Sequence, residues 1–296
     1  MSSEQLKVGL IQQEFKGSKE ATVERTLELI DDAKKGGAEL VVLQELHQDR
    51  YFCITEDVQN FEKAESIEKD IEFWSGVAKR FEVVLVTSLF EKRAVGLYHN
   101  TAYVFEKDGS LAGKYRKMHI PDDPGFYEKF YFCEGDLGFA PIDTSVGRLG
   151  VMICWDQWYP EGARLMSLAG AELLIYPTAI GWFDEDSEEE KQRQLESWVA
   201  VQRGHSVANA LPVITVNRVG FEKDDSGCLD GIRFWGNSFV FDAGGSEVFR
   251  SNSREEKAFI VEIDMKKSKD IRDIWPFLRD RRIDSYHDIT KRYLDK

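Results

Sequence analysis

The stretch Arg148-Leu-Gly-Val-Met-Ile-Cys-Trp-Asp-Gln-Trp-Tyr-Pro160 decides how the rest of the chain is interpreted. Its apolar, partly β-branched run Leu149–Ile153 predicts a buried strand. Pro160 and Glu161 are typical of the first turn of a helix. Cys154 is therefore expected where a strand gives way to a helix, at a sheet edge where free backbone N–H groups can bind an anion. Such a position suits a nucleophile, but it also suits a buried core cysteine. Which of the two Cys154 is depends on whether residues elsewhere in the chain could activate its thiol.

Length and composition limit the class of protein. The chain has 296 residues, 42% of them hydrophobic, which is enough for a large core. No stretch approaches the roughly 20 apolar residues of a membrane helix, and the N-terminal Met-Ser-Ser-Glu-Gln does not resemble a secretory signal. The four cysteines, at positions 53, 133, 154 and 228, form neither a disulfide framework nor a Cys-x-x-Cys pair. We therefore expect a protein of the reducing cytoplasm that does not bind a membrane.

The balance of charges argues against some partners. The chain carries 53 acidic and 39 basic side chains, a formal net charge of −14. This charge argues against nucleic acid, whose phosphates need a basic face. A cationic substrate is compatible with it, although many proteins are acidic for solubility alone.

Apolar periodicity predicts short strands that alternate with helices and hairpins. Strands are expected at Lys7–Gln12, Glu39–Leu43, Val83–Leu89, Ala171–Tyr176, Pro212–Asn217 and Ala258–Ile263. Helices are expected at Lys19–Lys35, Ile67–Arg80 and Glu188–Ala210. Hairpins are expected around the turn sequences Lys107–Ser110 and Asp242–Ser246. The pattern predicts an α/β protein with mixed sheets, in one domain over residues 1–296 that ends in a tail, 273–296.

Three charged residues lie where a strand should end or where water should be scarce. Glu45 directly follows a predicted buried strand, at the edge where α/β folds place ligands. Lys117 ends a basic segment, Lys114–Lys117. Glu128 lies in the aromatic segment Gly125–Phe132, where a carboxylate would be shifted towards its neutral form. Taken singly, each has an ordinary alternative, as a solvated loop carboxylate, a surface lysine or a structural glutamate.

Together with Cys154, these residues supply what a thiol-based amide hydrolysis requires. A thiol needs a base or a nearby positive charge to become the reactive thiolate. The tetrahedral intermediate needs donors aimed at its oxyanion, each worth a factor of about 10²–10³. The amine that leaves needs a proton.

The segments around these residues resemble the nitrilase, or carbon–nitrogen hydrolase, superfamily. The resemblance runs from Lys7 to Arg250 and is carried by LQEL at 43–46, KYRKMHIP at 114–121 and GVMICWDQWYPE at 150–161. It implies a four-layer α-β-β-α sandwich with two mixed sheets, and a triad of Glu45, Lys117 and Cys154. Glu128 matches a second glutamate that many members carry. The resemblance also implies a homo-oligomer built from dimers, in which the tail 273–296 is expected to make contacts.

The resemblance further implies a mechanism. Glu45 would take the thiol proton of Cys154, and the thiolate would attack the carbonyl carbon of the amide. Lys117 and the backbone N–H of Trp155 would hold the oxyanion, while Glu128 would position Lys117 or the substrate. Glu45 would then return the proton to the departing amine and activate the water that cleaves the thioester-like intermediate. No metal or organic cofactor is needed.

His119, His205 and the three other cysteines are interpreted as structural. His119 follows a strand and precedes Ile-Pro, which favours a structural hydrogen bond over a Cys–His pair. His205 lies within a long predicted helix. Cys53, Cys133 and Cys228 lack comparable partners and are interpreted as filling space.

The residues after Cys154 narrow the substrate class. Relatives that hydrolyse N-carbamoyl amino acids tend to have an arginine there, which suits a substrate carboxylate, and this chain has none. Cys154–Trp158 and Tyr176–Gly181 instead resemble N-carbamoylputrescine amidases, enzymes of the agmatine route to polyamines. Their substrate ends in an ammonium, which favours aromatic faces and carboxylates. The expected substrate-binding residues are Trp155, Trp182, Asp184 and Glu185.

Other interpretations stay open. Trp182-Phe183 stands where a small polar residue is expected, and the acidic run Asp184–Glu190 has an ordinary explanation as a solvated loop or helix start. A β-ureidopropionase or an ω-amidase is the alternative within the same class. A catalytically silent scaffold that binds a partner protein is the alternative outside it, although the intact trio of Glu45, Lys117 and Cys154 argues against that.

Overall fold

Two large β-sheets pack face to face, and helices cover their outer faces. The computed structural model describes residues 5–295. In chain order the strands are β1 (Gln5–Gln12), β2 (Leu40–Val42), β3 (Val84–Val86), β4 (Leu89–Ala94), β5 (Leu97–Phe105), β6 (Leu111–Arg116), β7 (Ile142–Thr144), β8 (Gly147–Val151), β9 (Leu173–Thr178), β10 (Gly181–Trp182), β11 (Val213–Asn217), β12 (Val219–Lys223), β13 (Gly231–Trp235), β14 (Phe239–Phe241), β15 (Glu247–Arg250) and β16 (Lys257–Asp264). The helices are α1 (Lys19–Lys35), α2 (Ile67–Phe81), α3 (Pro160–Leu168), α4 (Glu188–Asn209) and α5 (Lys267–Ile274). The predicted four-layer α-β-β-α sandwich is confirmed.

Both large sheets are mixed, as the sequence predicts. The first has the order β16-β1-β2-β3-β5-β4, with β6 also paired to β5, and the second has the order β15-β14-β11-β9-β8-β7. In each sheet three central strands run parallel, β1-β2-β3 and β8-β9-β11. A small third sheet has the order β10-β13-β12. The parallel strands β2 and β8 lead at their carboxyl ends into Glu45 and Cys154, one from each large sheet.

Alternation of side chains along β1 shows how the layers form. Leu6, Val8 and Leu10 point into the core between the two sheets, because every second residue of a strand lies on the same face. Ile11 lies on the opposite face, in the core beneath α1 and α2. Gly9 shares that face, and a Cβ there would lie 2.8 Å from the Cβ of Ala33. The missing side chain therefore lets α1 pack close to the sheet.

Capping residues set the starts of two predicted helices. The Ser18 hydroxyl accepts a hydrogen bond from the Ala21 N–H at the start of α1, and Ser187 does the same for the Glu190 N–H at the start of α4. These bonds satisfy N–H groups that have no partner within the helix. Helix α1 has the predicted bounds, and α4 ends at Asn209, one residue before the predicted end.

The structure also contains strands that periodicity does not predict, namely β4, β7, β10, β12 and β13. Strands β7 and β10 have only three and two residues, too few for a periodic signal. The single strand predicted at Val83–Leu89 is divided at Thr87 and Ser88 into β3 and β4, which both pair with β5. The Ser88 hydroxyl donates to Asn100 Oδ1 and accepts from the Leu46 N–H. Ser88 therefore links this point of the first sheet to the turn that follows Glu45.

The tail is largely exposed. Residues 275–295 contain only two short 3₁₀ turns, Ile283–Ser285 and His287–Thr290, and Lys296 lies outside the described residues. Several apolar side chains in it face solvent, including Trp275, with 61% of its surface exposed, and Tyr293, with 80%. The role of the tail in oligomer contacts stays a prediction. The cytoplasmic location of the protein also stays a prediction. No helix within residues 5–295 combines the length and the apolar character needed to cross a bilayer.

Gly135 offers a test of how tightly the chain packs behind Lys117. Its N–H donates to the Lys117 carbonyl over 2.8 Å, and a Cβ would lie 2.1 Å from the Arg116 carbonyl oxygen. We expect Gly135→Ala to lower the free energy of unfolding by about 1–3 kcal/mol, seen as a lower melting temperature in calorimetry. Gly76→Ala, in α2 with no atom within 4 Å of the added Cβ, should leave the melting temperature equal or higher. Equal melting temperatures for wild type and Gly135→Ala would contradict this account.

Candidate active site

Cys154 opens a 3₁₀ turn between β8 and α3. The turn spans Cys154–Trp158, and β8 ends at Val151, so the strand stops two residues before the predicted end. Cys154 has a φ of 42°, a left-handed conformation that is strained for a residue with a side chain. The side chain is buried, and its Sγ lies 3.7 Å from the Ala179 carbonyl oxygen. The sulfur therefore sits on a backbone held in an unusual shape by its surroundings.

Glu45, Lys117 and Glu128 meet as a fully buried cluster. The Lys117 ammonium lies 2.7 Å from Glu45 Oε1 and 2.6 Å from Glu128 Oε2. All three side chains have no exposed surface. Because charges lose so much solvation on burial, they persist there only when paired and hydrogen-bonded, as these are.

Glu45 is held in place by contacts that the local sequence does not reveal. Asn100 donates from Nδ2 to Glu45 Oε1 over 2.7 Å. The Glu45 N–H donates to the Thr178 carbonyl, which ties the first sheet to the end of β9. Oε2 of Glu45 is buried and has no hydrogen-bond partner among residues 5–295. One carboxylate oxygen is thus held in place and the other is free.

A second chain of contacts fixes Glu128. Its Oε1 accepts a 2.6 Å hydrogen bond from the Tyr51 hydroxyl, and the Tyr51 N–H donates to Glu222 Oε2 over 2.7 Å. Glu222 is paired in turn with the fully buried Arg218, at 2.6 Å. Arg218 also donates to the Leu46 carbonyl over 2.8 Å. This network closes the turn after Glu45 and links it to Glu128.

Asp156 joins the turn of Cys154 to the segment of Lys117. Its Oδ2 accepts from the Ile153 N–H at 3.0 Å and from the Tyr115 hydroxyl at 2.9 Å. Its Oδ1 accepts from the His119 N–H at 2.9 Å and contacts the His119 ring at 2.7 Å. One buried carboxylate therefore fixes the residue before Cys154 relative to residues on both sides of Lys117.

The cluster sets the protonation of its members. Burial by itself lowers the pKa of Lys117, but the charges of Glu128 and Glu45 outweigh it and hold that pKa well above its ordinary value. Burial raises the pKa of Glu128 to about 7, with Lys117 opposing the rise. Burial, followed by the charge of Glu45, raises the pKa of the Cys154 thiol well above its usual range, and Lys117 only partly opposes this. The resting state therefore has a charged lysine and a protonated thiol.

A cavity of about 470 Å³ gives access to Cys154. Its aromatic lining consists of Phe126, Trp155, Trp158, Trp182, Phe183 and Trp235. The polar lining includes Asp123, Asp186 and Arg193. The geometry thus combines a buried thiol, a carboxylate with a free oxygen, a fixed ammonium and an apolar pocket, which together suit attack on a carbonyl carbon.

Sequence and structure comparisons agree with this chemistry. The family model described as carbon–nitrogen hydrolase matches residues 7–273. The chain belongs to the carbon–nitrogen hydrolase family. It is an enzyme that hydrolyses carbon–nitrogen bonds of linear amides, as the resemblance implies.

Three relatives illustrate the range within the family. The N-carbamoylputrescine amidase of Oryza sativa subsp. japonica is 41% identical over 87% of this chain and 85% of that one. The citrullinase of Francisella tularensis is 34% identical over 97% of this chain and 99% of that one. The crystal structure of a carbon–nitrogen hydrolase from Helicobacter pylori G27 is 56% identical, with a TM-score of 0.96, and the match covers 98% of this chain and all of that one.

The predicted substrate-binding residues of this carbon–nitrogen hydrolase separate into two pairs. Trp155 and Trp182 line the cavity. Asp184 and Glu185 do not line the cavity. Asp184 pairs with Arg233 through both carboxylate oxygens, each at 2.6 Å, and Glu185 is exposed. The acid of this segment that reaches the lining is Asp186. The prediction fails to single it out because six acids within seven residues carry no signal of which one faces inward.

His119 and His205 of this hydrolase make structural hydrogen bonds. His119 makes the predicted structural hydrogen bond, to Asp156, and stacks on Tyr159 with ring centroids 3.8 Å apart. His205 Nε2 lies 2.8 Å from the Gln157 carbonyl oxygen. Within residues 5–295, no group of three or more His, Cys, Asp or Glu side chains is arranged to hold a metal ion.

Replacing Glu128 should change how stability depends on pH. Because the folded state raises the pKa of Glu128 from 4.5 to about 7, it binds this proton more tightly than the unfolded chain. The contribution of Glu128 is thus fully present below about pH 4.5 and is lost as pH rises through about 7. Between pH 5 and 8, wild type should lose up to about 3 kcal/mol relative to Glu128→Gln, which melting temperatures across that range would measure. The exposed Glu189→Gln serves as control, and a difference between Glu128→Gln and wild type that does not vary with pH would contradict the expectation.

Asp156→Asn tests the link between the two halves of the site. The amide keeps one acceptor oxygen where the carboxylate has two, so buried donors lose their partners, at a cost of about 1–3 kcal/mol. We expect a lower melting temperature and a fall in kcat that exceeds the change in KM, since Cys154 is displaced relative to Lys117. Ammonia release from an amide substrate measures both constants. Asp143→Asn, at a side chain that is 82% exposed, should change neither, and wild-type kcat in Asp156→Asn would rule out the positioning role.

Proposed function

We propose that this protein is a cysteine-dependent amidohydrolase that converts N-carbamoylputrescine and water to putrescine, ammonia and carbon dioxide. The observation that carries the proposal is the cavity beside Cys154, with six aromatic side chains and the carboxylates of Asp123 and Asp186 in its lining. Such a lining suits a linear substrate with a cationic end. The identity with the rice N-carbamoylputrescine amidase supports it further.

In the first step Glu45 acts as the general base for Cys154. Its Oε1 is occupied by Lys117 and Asn100, whereas Oε2 has no hydrogen-bond partner within residues 5–295. We infer that Oε2 takes the thiol proton. Because the thiol pKa is raised by burial and by the charge of Glu45, proton removal is coupled to attack on the ureido carbon rather than completed in advance.

The oxyanion formed by this attack is held by Lys117 and by the backbone N–H of Trp155. Lys117 stays protonated because two carboxylates flank it. Trp155 is the second residue of the 3₁₀ segment Cys154–Trp158, where backbone N–H groups have no partner within the segment. Two such donors in a site shielded from water stabilise developing negative charge strongly.

Collapse of the intermediate breaks a carbon–nitrogen bond, and the departing nitrogen takes the proton from Glu45. The remaining carbonyl group is bound to Cys154 as a thioester-like intermediate. Glu45 then removes a proton from water, which adds to that carbonyl and releases the thiol. The carbamic acid or carbamate that leaves decomposes to carbon dioxide and the second amine, so that one water is consumed for each ureido group.

Glu128 acts on this reaction through Lys117. Its Oε2 lies 2.6 Å from the ammonium, and its other oxygen is held by Tyr51. This arrangement fixes the direction in which the ammonium points. Glu128 is therefore a positioning residue in the proposal, and Glu45, Lys117 and Cys154 are the catalytic residues.

A citrulline substrate is the nearest competitor, because the Francisella tularensis relative is a citrullinase. Citrulline has the same ureido group and a distal ammonium, but it carries a carboxylate beside that ammonium. The arginine in the cavity lining, Arg193, is held in a bidentate pair with Glu190, at 2.7 and 2.6 Å. With Arg193 so neutralised and two acids in the lining, the charge of the cavity favours the amine over the amino acid.

A substrate panel tests the proposal. Purified protein is incubated with N-carbamoylputrescine, citrulline, 3-ureidopropionate and α-ketoglutaramate, the last two representing β-ureidopropionases and ω-amidases, and ammonia is measured. We expect kcat/KM to be highest for N-carbamoylputrescine, by about tenfold or more, since one charge-assisted contact is worth that much. A higher value for any of the others would overturn the substrate assignment.

Cys154→Ala separates catalysis from a scaffold role. The variant should keep the wild-type melting temperature within a few degrees and lose ammonia release to background, because no other thiol replaces the nucleophile. Undiminished ammonia release in Cys154→Ala would contradict the mechanism. Cys133→Ala, at an exposed cysteine, is the matched control and should retain full activity.

A further inference from the structure

We propose that Asp186 receives the distal ammonium of the substrate and is the residue that selects cationic ureides. The inference rests on the proposed function and deepens it. Asp186 and Cys154 line the same cavity. A linear substrate whose ureido carbon lies at Cys154 would therefore extend its other end within reach of the cavity's carboxylates.

The neighbouring acids are occupied or lie outside the cavity. Asp184 is paired with Arg233, and Glu190 is paired with Arg193 and bonded to Gln194. Among the six acids of the run Asp184–Glu190, Asp186 is the member that lines the cavity. The inference therefore depends on the place of one carboxylate and not on an acidic cluster.

The loop holds Asp186 in one orientation. Its Oδ2 accepts a 3.2 Å hydrogen bond from the Phe183 N–H, and its own N–H donates to the Phe183 carbonyl. Oδ1 has no protein partner within residues 5–295. One oxygen is thus anchored by the backbone while the other is open to a donor from the ligand.

The surroundings of Asp186 strengthen its attraction for a primary ammonium. Its side chain is half-buried, so solvent screens its charge less than that of the exposed Asp123. Trp182 and Phe183 line the cavity beside it, and their ring faces favour a cation. An ammonium has three donors, so it can bind Oδ1 and still face an aromatic ring. A ligand carboxylate at the same place would be repelled.

Binding to a catalytically silent protein tests the inference directly. In a Cys154→Ala background, calorimetry compares N-carbamoylputrescine with N-butylurea, which has the same ureido group and four-carbon chain but no ammonium. Adding Asp186→Asn should raise the Kd of N-carbamoylputrescine about tenfold or more and that of N-butylurea less than twofold. Adding Glu189→Gln, which removes an exposed charge from the same run, should alter neither value.

Wild-type kinetics supply an independent readout. Asp186→Asn should raise KM for N-carbamoylputrescine about tenfold with a smaller effect on kcat, and Asp186→Glu should recover part of the loss because it restores the charge. An Asp186→Asn variant that weakens both ligands equally, or neither, overturns the inference. Equal affinity of the Cys154→Ala protein for the two ligands overturns it as well, since no ammonium subsite would then exist.

Failure of the proposed function gives a different pattern. Wild type would then release no more ammonia from N-carbamoylputrescine than from the other ureides and amides of the panel. If Asp186→Asn nevertheless abolishes the preference for N-carbamoylputrescine over N-butylurea, the ammonium subsite stands and the true substrate is another cationic amide. Ammonia release tests the proposed function and ligand binding tests the ammonium subsite, so failure of one can be distinguished from failure of the other.

Discussion

The structure depends on one buried ammonium held between two carboxylates. Lys117 has no exposed surface, and the charges of Glu128 and Glu45, at 2.6 and 2.7 Å, keep it protonated there. Removing Lys117 itself would leave buried carboxylates without their cation, a cost of about 3–5 kcal/mol. The sheets, the turn after Glu45 and the aromatic segment of Glu128 must therefore meet in one arrangement. The same constraint fixes Glu45 and Lys117 in the places where the proposed function uses them as the base and the oxyanion donor.

The wider charge network shows how that constraint is tolerated. Glu45, Glu128 and the paired Glu222 face Lys117 and Arg218, so three acids oppose two bases. A pKa of about 7 at Glu128 allows this excess negative charge to be relieved by one proton. The network can thus approach neutrality without giving up the fixed position of Lys117. The hydrogen bonds that stabilise the charge network are also those that hold Lys117 in its position.

The sequence predicts those parts of the protein that carry a local signal. Apolar periodicity predicts strand β1 and helices α1 and α4, and the resemblance of three short segments predicts the trio of Glu45, Lys117 and Cys154. The supporting side chains have no such signal: Asn100 lies 55 residues from Glu45 and Tyr51 lies 77 from Glu128. A lone Asn or Tyr in a strand or loop looks the same whether or not it bonds to a distant carboxylate, so only the folded arrangement reveals these contacts.

In the proposed function, the catalytic residues and the residues that select the substrate lie on different kinds of structure. The trio sits at strand ends and turns that buried bonds tie together, such as those of Asp156, and one displaced backbone would affect every step. Asp186 and Trp182 belong to the segment around β10 and the loop before α4, which shares few of those bonds. Substitutions in that segment can change the charge offered to the far end of a substrate without moving the thiol.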